Sequence, residues 1–263
     1  MLQGVLTIAL LFPLCGATRR LALRQRWAAR LLAVLGVELR AEGCAVAPGC
    51  MLVANHISWI DIFVINALAP SAFVSKAEVR AWPVAGWLAA RSETVFLRRG
   101  SRGHARIVNA EIAALLDAGR NVAVFPEGTT TDGSHVLGFH AALLQPAIAC
   151  GHAVQPLALS YHTADGRRSL APAYDGEVSF GQCLRAIVAE RRLIARIHAT
   201  PALATTEVDR RALATHAQAT IAAVVAAAAQ PATCHTVPSS RRSAVSLPPH
   251  TQPESSAISP SSR

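Results

Sequence analysis

Lysine is almost absent from this chain. Lys76 is the only one among 25 basic residues, so nearly all of the net charge of +9 is arginine. Such a bias, beside abundant alanine, arises either from the base composition of a genome or from selection for an anionic partner surface. Aromatic residues are also scarce, at 5%. No basic cluster is interleaved with them, which argues against nucleic acid as a partner. The six cysteines (Cys15, Cys44, Cys50, Cys150, Cys183 and Cys234) include no C-x-x-C pair, and none stands with histidine in a zinc-site spacing. No metal site is expected from them. Scattered thiols in a chain of this size fit a reducing compartment better than a disulfide framework. No apolar run reaches the roughly 20 residues that a membrane-spanning helix needs.

Shorter apolar runs are present. Residues 4–15 form one of 12, followed by Arg19 and Arg20. A signal peptide shows the reverse order of charge and a small-residue cleavage site. A second run, Leu31 to Val37, lies between Arg30 and Arg40, with Trp27 one turn earlier. Hydrophobic residues make up 52% of the chain and mean hydropathy is positive. Residues 1–40 are therefore predicted to form two apolar helices lying at a membrane surface, with guanidinium groups at the phosphates. The alternative is a pair of ordinary packing helices.

Residues 41–230 alternate between strand-like and helical stretches. Strands are predicted at Met51–Ala54, Phe73–Ser75, Thr94–Leu97, Val122–Phe125, Val154–Ser160 and Glu177–Phe180. Helices are predicted near 59–68, 82–90, 104–118, 139–150, 182–192 and 208–228. This order implies an α/β domain with a mainly parallel or mixed sheet flanked by helices. Residues 231–263 are rich in Ser and Pro and poor in large apolar side chains, the composition of a disordered tail.

Three constellations could carry chemistry. The first, Asn55-His56-Ile57-Ser58-Trp59-Ile60-Asp61, follows a strand and precedes a helix. Ends of strands in open α/β sheets are where ligands bind. His56 and Asp61 are about 140° apart on an ideal helix. If the helix starts near Ser58, however, His56 lies in the preceding turn and can fold back. A carboxylate on one imidazole nitrogen fixes the tautomer and leaves the other to take a proton. Ser58-x-x-Asp61 also has the form of a helix capping box, so Asp61 could serve the helix start alone. The second constellation, Phe125-Pro126-Glu127-Gly128-Thr129-Thr130-Thr131-Asp132-Gly133, runs from a strand into a loop. It could hold an anion or ester oxygen, or be a simple turn. The third, Arg98-Arg99-Gly100-Ser101-Arg102-Gly103-His104, suits phosphate capture or a solvated charge run.

Together these blocks resemble the glycerolipid acyltransferases of the lysophosphatidic acid acyltransferase type. The family's N-H-x-S-x-x-D is matched at Asn55 to Asp61. Its F-P-E-G-T stands at Phe125 to Thr129, about 70 residues on. Its arginine block is similar to Phe96-Leu97-Arg98-Arg99, and its late strand to Val154-Gln155-Pro156-Leu157. The chain departs from the family at three places. Glu93 stands where the arginine block usually begins with Gly, Thr130 where Arg often follows F-P-E-G-T, and Phe139-His140 where Phe-Lys is common.

The resemblance implies an O-acyltransferase of phospholipid biosynthesis. It assigns His56 as general base and Asp61 as its orienting carboxylate. Arg99, Glu127, Gly128 and Thr129 would bind the acceptor, with Asn55, Ser58 and Pro126 in support. The acyl donor would be acyl-CoA or acyl carrier protein, with no metal or organic cofactor. The acceptor would be a lysolipid, foremost 1-acyl-sn-glycerol-3-phosphate. The missing cations and the F-P-E-G-T-T-T-D-G form also resemble the subgroup that acylates lyso-ornithine lipid. The expected place is the cytoplasmic face of an inner (plasma) membrane. More distant alternatives are a thioesterase acting on water and a non-enzymatic membrane-binding protein.

Overall fold

A computed structural model describes residues 15–81, 86, 90, 93–97 and 102–228. Seven strands form one sheet: β1 (Val37–Gly43), β2 (Met51–Ala54), β3 (Ser71–Lys76), β4 (Val95–Leu97), β5 (Asn121–Val124), β6 (Val154–His162) and β7 (Leu193–Ala199). Their spatial order is β1-β7-β6-β2-β5-β3-β4. All neighbours are parallel except β6 and β7, which are antiparallel. The expectation of a mainly parallel, mixed α/β sheet therefore holds. β2 lies near the middle and is buried on both faces, as its unbroken apolar run requires.

Helices cover both faces. On one side lie α1 (Ala17–Val34), α2 (Asp61–Leu68) and α5 (Phe180–Ala189); on the other lie α3 (Arg102–Asp117), the short α4 (Gln145–Ala149) and α6 (Arg210–Ala228). Leu52, Ala54, Leu157 and Leu159 face the first layer. Met51, Val53, Val122 and Val124 face the second, against Ile112, Leu116 and Ile221. The side chains of β2 alternate between the two cores, as the strand's period of two dictates.

Several expectations are corrected. Leu31 to Val37 is not a separate apolar helix. It is the end of the 18-residue α1 and the first residue of β1. Gly36 stops the helix with φ +75°, a left-handed conformation that glycine adopts without a Cβ clash. β1 spans residue 40, so the sheet domain takes in residues 37–40 as well. Glu177 to Phe180 is not a strand. Ser179 caps α5 through a reciprocal bond pair with Gln182, and that local satisfaction of helix-end donors overrides the short apolar run. β1 and β7 join the sheet beyond the predicted strands. The apolar run at 4–14, most of the helix at 82–90, Arg98, Arg99 and the tail from 231 lie outside the described residues.

Residues Arg24, Ala28 and Leu32 form the buried stripe of α1. The Arg24 guanidinium donates to the Ser71 carbonyl at 2.8 Å and to Glu93 at 2.9 Å, and Arg120 also pairs with Glu93. Burial holds Arg24 below the usual arginine range, partly offset by Glu93. Glu93 itself has φ +61°, so the family's usual glycine at this position has a steric reason. This chain accepts a left-handed non-glycine residue and gains a carboxylate between two arginines. Glu93→Ala should therefore lower the denaturant midpoint. Glu93→Gly should be the milder change by about 1 kcal/mol, because it removes the left-handed penalty while losing the same carboxylate. Equal losses in the two variants would contradict this.

Candidate active site

Strand β2 ends at Ala54, and the chain must turn into α2, which starts at Asp61. Asn55 makes the turn possible. Its amide donates to the Leu159 carbonyl at 3.0 Å and accepts from the Leu159 N–H at 2.7 Å. The side chain thus extends the β2–β6 ladder past the last backbone pair, Ala54 with Leu157. Its full burial makes this pairing obligatory, since an unmatched amide there would cost heavily.

His56 lies in the turn, before the helix. Its Nδ1 is 2.8 Å from Asp61 Oδ2. The same oxygen accepts the backbone N–H of Ile57 at 2.7 Å and of Ser58 at 2.9 Å. Asp61 Oδ1 accepts the Tyr161 hydroxyl at 2.6 Å. Asp61 is thus both the helix-start acceptor and the imidazole's partner. The capping reading is only half realised, because the Ser58 side chain does not cap the helix. Its Oγ faces the Cys183 thiol at 3.9 Å.

The imidazole ring is fixed in plane as well as in tautomer. It stacks on Phe125 with centroids 3.9 Å apart and an interplanar angle of 11°, and Phe73 lies behind Phe125. The His56 side chain is 20% exposed whereas Asp61 is fully buried. Nε2 makes no hydrogen bond among the described residues. A carboxylate holding Nδ1–H leaves Nε2 as the acceptor, so the ring can take a proton from a hydroxyl brought to the surface.

The loop after β5 clamps this turn. Glu127 Oε1 accepts the His56 N–H at 2.8 Å, and Oε2 accepts the Leu137 N–H at 2.8 Å. The Thr131 N–H donates to the His56 carbonyl at 2.9 Å. Both Glu127 oxygens are committed to backbone, and the side chain is buried. Glu127, expected at the acceptor, thus also acts as a strut between two loops. Burial pushes its carboxyl up, against the two backbone bonds that favour the ionised form. Pro126 is buried and its carbonyl accepts the His140 N–H. Gly128 is left-handed at φ +72° and the Thr129 side chain is exposed to solvent. Gly133 is left-handed at φ +79°, and a Cβ there would press on the end of the Ile57 side chain at 2.7 Å, so glycine suits the place where this turn seats against the histidine turn.

A third segment closes the ring. The Tyr174 N–H donates to the Ile57 carbonyl at 3.0 Å, and Thr130 donates to the Tyr174 carbonyl. Thr130, which stands where relatives often carry arginine, is thus spent on a loop contact. Tyr161, absent from the sequence-derived site, is buried at the end of β6. Burial and the Asp61 charge push its phenol well up, so it stays a donor. Its signal in the sequence was the parity of β6, which puts residue 161 on the same face as Leu157 and Leu159. Burial also pushes the Cys183 thiol up. Among the described residues no three His, Cys, Asp or Glu side chains converge as a metal site.

Tyr161→Phe keeps the ring and leaves Asp61 Oδ1 without its donor. Unfolding free energy should fall by about 1.5–3 kcal/mol, the usual worth of a bond to a charged group. Thermal or urea unfolding measures it, and a variant as stable as the parent would show the phenol bond to carry nothing.

Comparisons with known proteins place the chain among acyltransferases. A family model described as Acyltransferase matches residues 37–160, from the start of β1 into β6. A lyso-ornithine lipid O-acyltransferase of Pseudomonas aeruginosa is 44% identical over 200 residues, covering 74% of this chain and 77% of that protein. A 1-acyl-sn-glycerol-3-phosphate acyltransferase of Neisseria meningitidis serogroup B is 37% identical over 193 residues, covering 73% and 75%. Among solved structures, the acyltransferase PlsC of Thermotoga maritima superposes with a TM-score of 0.62 at 21% identity, over 84% of this chain and 90% of that one. That likeness supports the fold. The matched stretch contains the histidine turn and the loop that clamps it, and the chain accordingly belongs to the glycerolipid acyltransferase family as an O-acyltransferase.

Proposed function

We propose that this chain transfers a fatty acyl group from a thioester to the free hydroxyl of a lysolipid, with His56 as general base. The observation that carries the reading is the Asp61–His56 pair at 2.8 Å, with the second imidazole nitrogen open at the surface. The acceptor O–H proton passes to Nε2 as its oxygen attacks the thioester carbonyl. The tetrahedral intermediate then expels thiolate, the C–S bond breaks, and the imidazolium returns its proton to sulfur. Asp61 orients the ring and balances its transient charge, as in the logic of a Ser-His-Asp triad with the substrate supplying the hydroxyl. The donor is acyl-CoA or acyl carrier protein.

The acceptor head group divides into two readings. A phosphate acceptor, 1-acyl-sn-glycerol-3-phosphate, is that of the Neisseria relative, and Arg99 would serve it. Lyso-ornithine lipid is favoured by two observations. The loop position often held by arginine is Thr130, tied to the Tyr174 carbonyl, and the relative at 44% identity acts on lyso-ornithine lipid. Thr129 and Gly128 border the acceptor in either case. Work at the cytoplasmic face of an inner membrane follows from the cytosolic donors. No helix among the described residues is long and apolar enough to cross a membrane, so attachment would use surface contact and the apolar run at residues 4–15.

The full-length chain in membranes, given acyl-CoA or acyl carrier protein with each lysolipid in parallel, should acylate lyso-ornithine lipid faster than lysophosphatidic acid, read by mass of the product. Acylation of neither, with a competent donor, would sink the reading. His56→Ala should fold and lose about 100-fold or more in turnover, the low end of general-base contributions. A loss of less than tenfold would remove His56 from the chemistry.

A further inference from the structure

Six large hydrophobic side chains stand exposed among the described residues: Val34, Ile107, Leu170, Val178, Phe180 and Val188. Five of them come from two connections. Val34 closes α1 just before β1, and the other four lie between the end of β6 at His162 and the start of β7 at Leu193. The pairing directions fix where these connections are. β6 runs parallel to β2, β7 runs antiparallel to β6, and β1 runs parallel to β7. The start of β1, the start of β7 and the end of β6 therefore all lie at the end of the sheet where β2 delivers His56.

One of these exposed groups, Phe180, reaches the histidine turn. Trp59, three residues past His56, contacts Phe180 at 5.0 Å and Phe63 at 6.0 Å, and Phe63 meets Trp27 of α1 at 5.4 Å. An aromatic band thus runs from α1 across the start of α2 to α5. Phe180 is 51% exposed and Leu170 is 61% exposed. Arg185 and Arg191 in the β6–β7 connection, and Arg26 and Arg30 on α1, are exposed and have no ion pair among the described residues. Exposed apolar side chains bordered by guanidinium groups that have no ion pair among the described residues suit the boundary between acyl chains and anionic head groups. Asp175 and Glu177 lie in the same connection, so the surface is not uniformly basic. The exposed Leu, Val and Phe side chains select a bilayer over a soluble acidic protein.

We propose that the β6–β7 connection around α5, together with the C-terminal end of α1, seats the protein on an anionic lipid bilayer. On this surface His56 meets the lipid from the side, at head-group depth. The seating stands independently of the acyl acceptor, whereas delivery of the acceptor to His56 rests on the lysolipid reading above.

The test uses the full chain carrying Val178→Trp, mixed with vesicles of phosphatidylethanolamine and phosphatidylglycerol whose acyl chains are brominated. The added indole should be quenched relative to the parent, and Leu170→Ser/Val188→Ser should weaken vesicle partition by about fivefold or more. That double variant should keep its turnover on a short-chain acceptor dissolved as monomers. An indole at position 178 that brominated chains leave unquenched overturns the proposal. So does one shielded by soluble acyl carrier protein but not by vesicles. Quenching that persists while no lysolipid is acylated keeps the seating and removes the proposed reaction instead.

Discussion

One buried carboxylate organises the site. Asp61 has no exposed surface and accepts from an imidazole, two backbone N–H groups and a phenol. A charge so placed is stable only when its lone pairs are met, so the four donors and the carboxylate hold one another in place. Its position at the first turn of α2 adds the favourable end of the helix dipole. The same atom that starts the helix sets the tautomer of His56. Local folding and site geometry are therefore one event.

The sheet supplies the remaining constraints. The loop after β5 sends Glu127 and Thr131 to the two backbone ends of His56, while β6 carries Tyr161 to Asp61 and anchors Asn55. These contacts span about 70 to 100 residues of chain. They form because β2 sits between β5 and β6 in the parallel register. The reversal at β7 then brings the long β6–β7 connection back to the same end, where Tyr174 closes on Ile57.

Much of this was legible in the chain because it is local. Asn55 to Asp61 carries its own spacing, and the fold-back of His56 follows from a helix that starts after it. β2, β3, β5 and β6 are apolar runs with clear ends. What escaped depends on distance or competition. β7 reads Leu193-Ile194-Ala195-Arg196-Ile197-His198-Ala199, with polar groups on one face only, and its partners are far away in sequence. Tyr161 is an ordinary strand residue until the sheet is assembled. Glu127 illustrates a different limit. The resemblance put this side chain at the acceptor, and only the assembled loops show that each of its oxygens also accepts a backbone N–H. The strand expected at 177–180 fails because Ser179 and Gln182 cap a helix there, a local bond pair that apolar runs do not reveal.

The orientation of Ser58 has a kinetic consequence. It is the serine of the histidine turn, yet its hydroxyl is buried against Cys183 and points away from the ring it follows. Under the proposed reaction the acyl group passes straight from donor to acceptor, with no serine of this turn to carry it. Both substrates would then occupy the site together, and rate measurements would show intersecting rather than parallel double-reciprocal lines. A donor from the aqueous side and an acceptor from the lipid side would have to converge on one nitrogen, and the partial exposure of His56 leaves room for that.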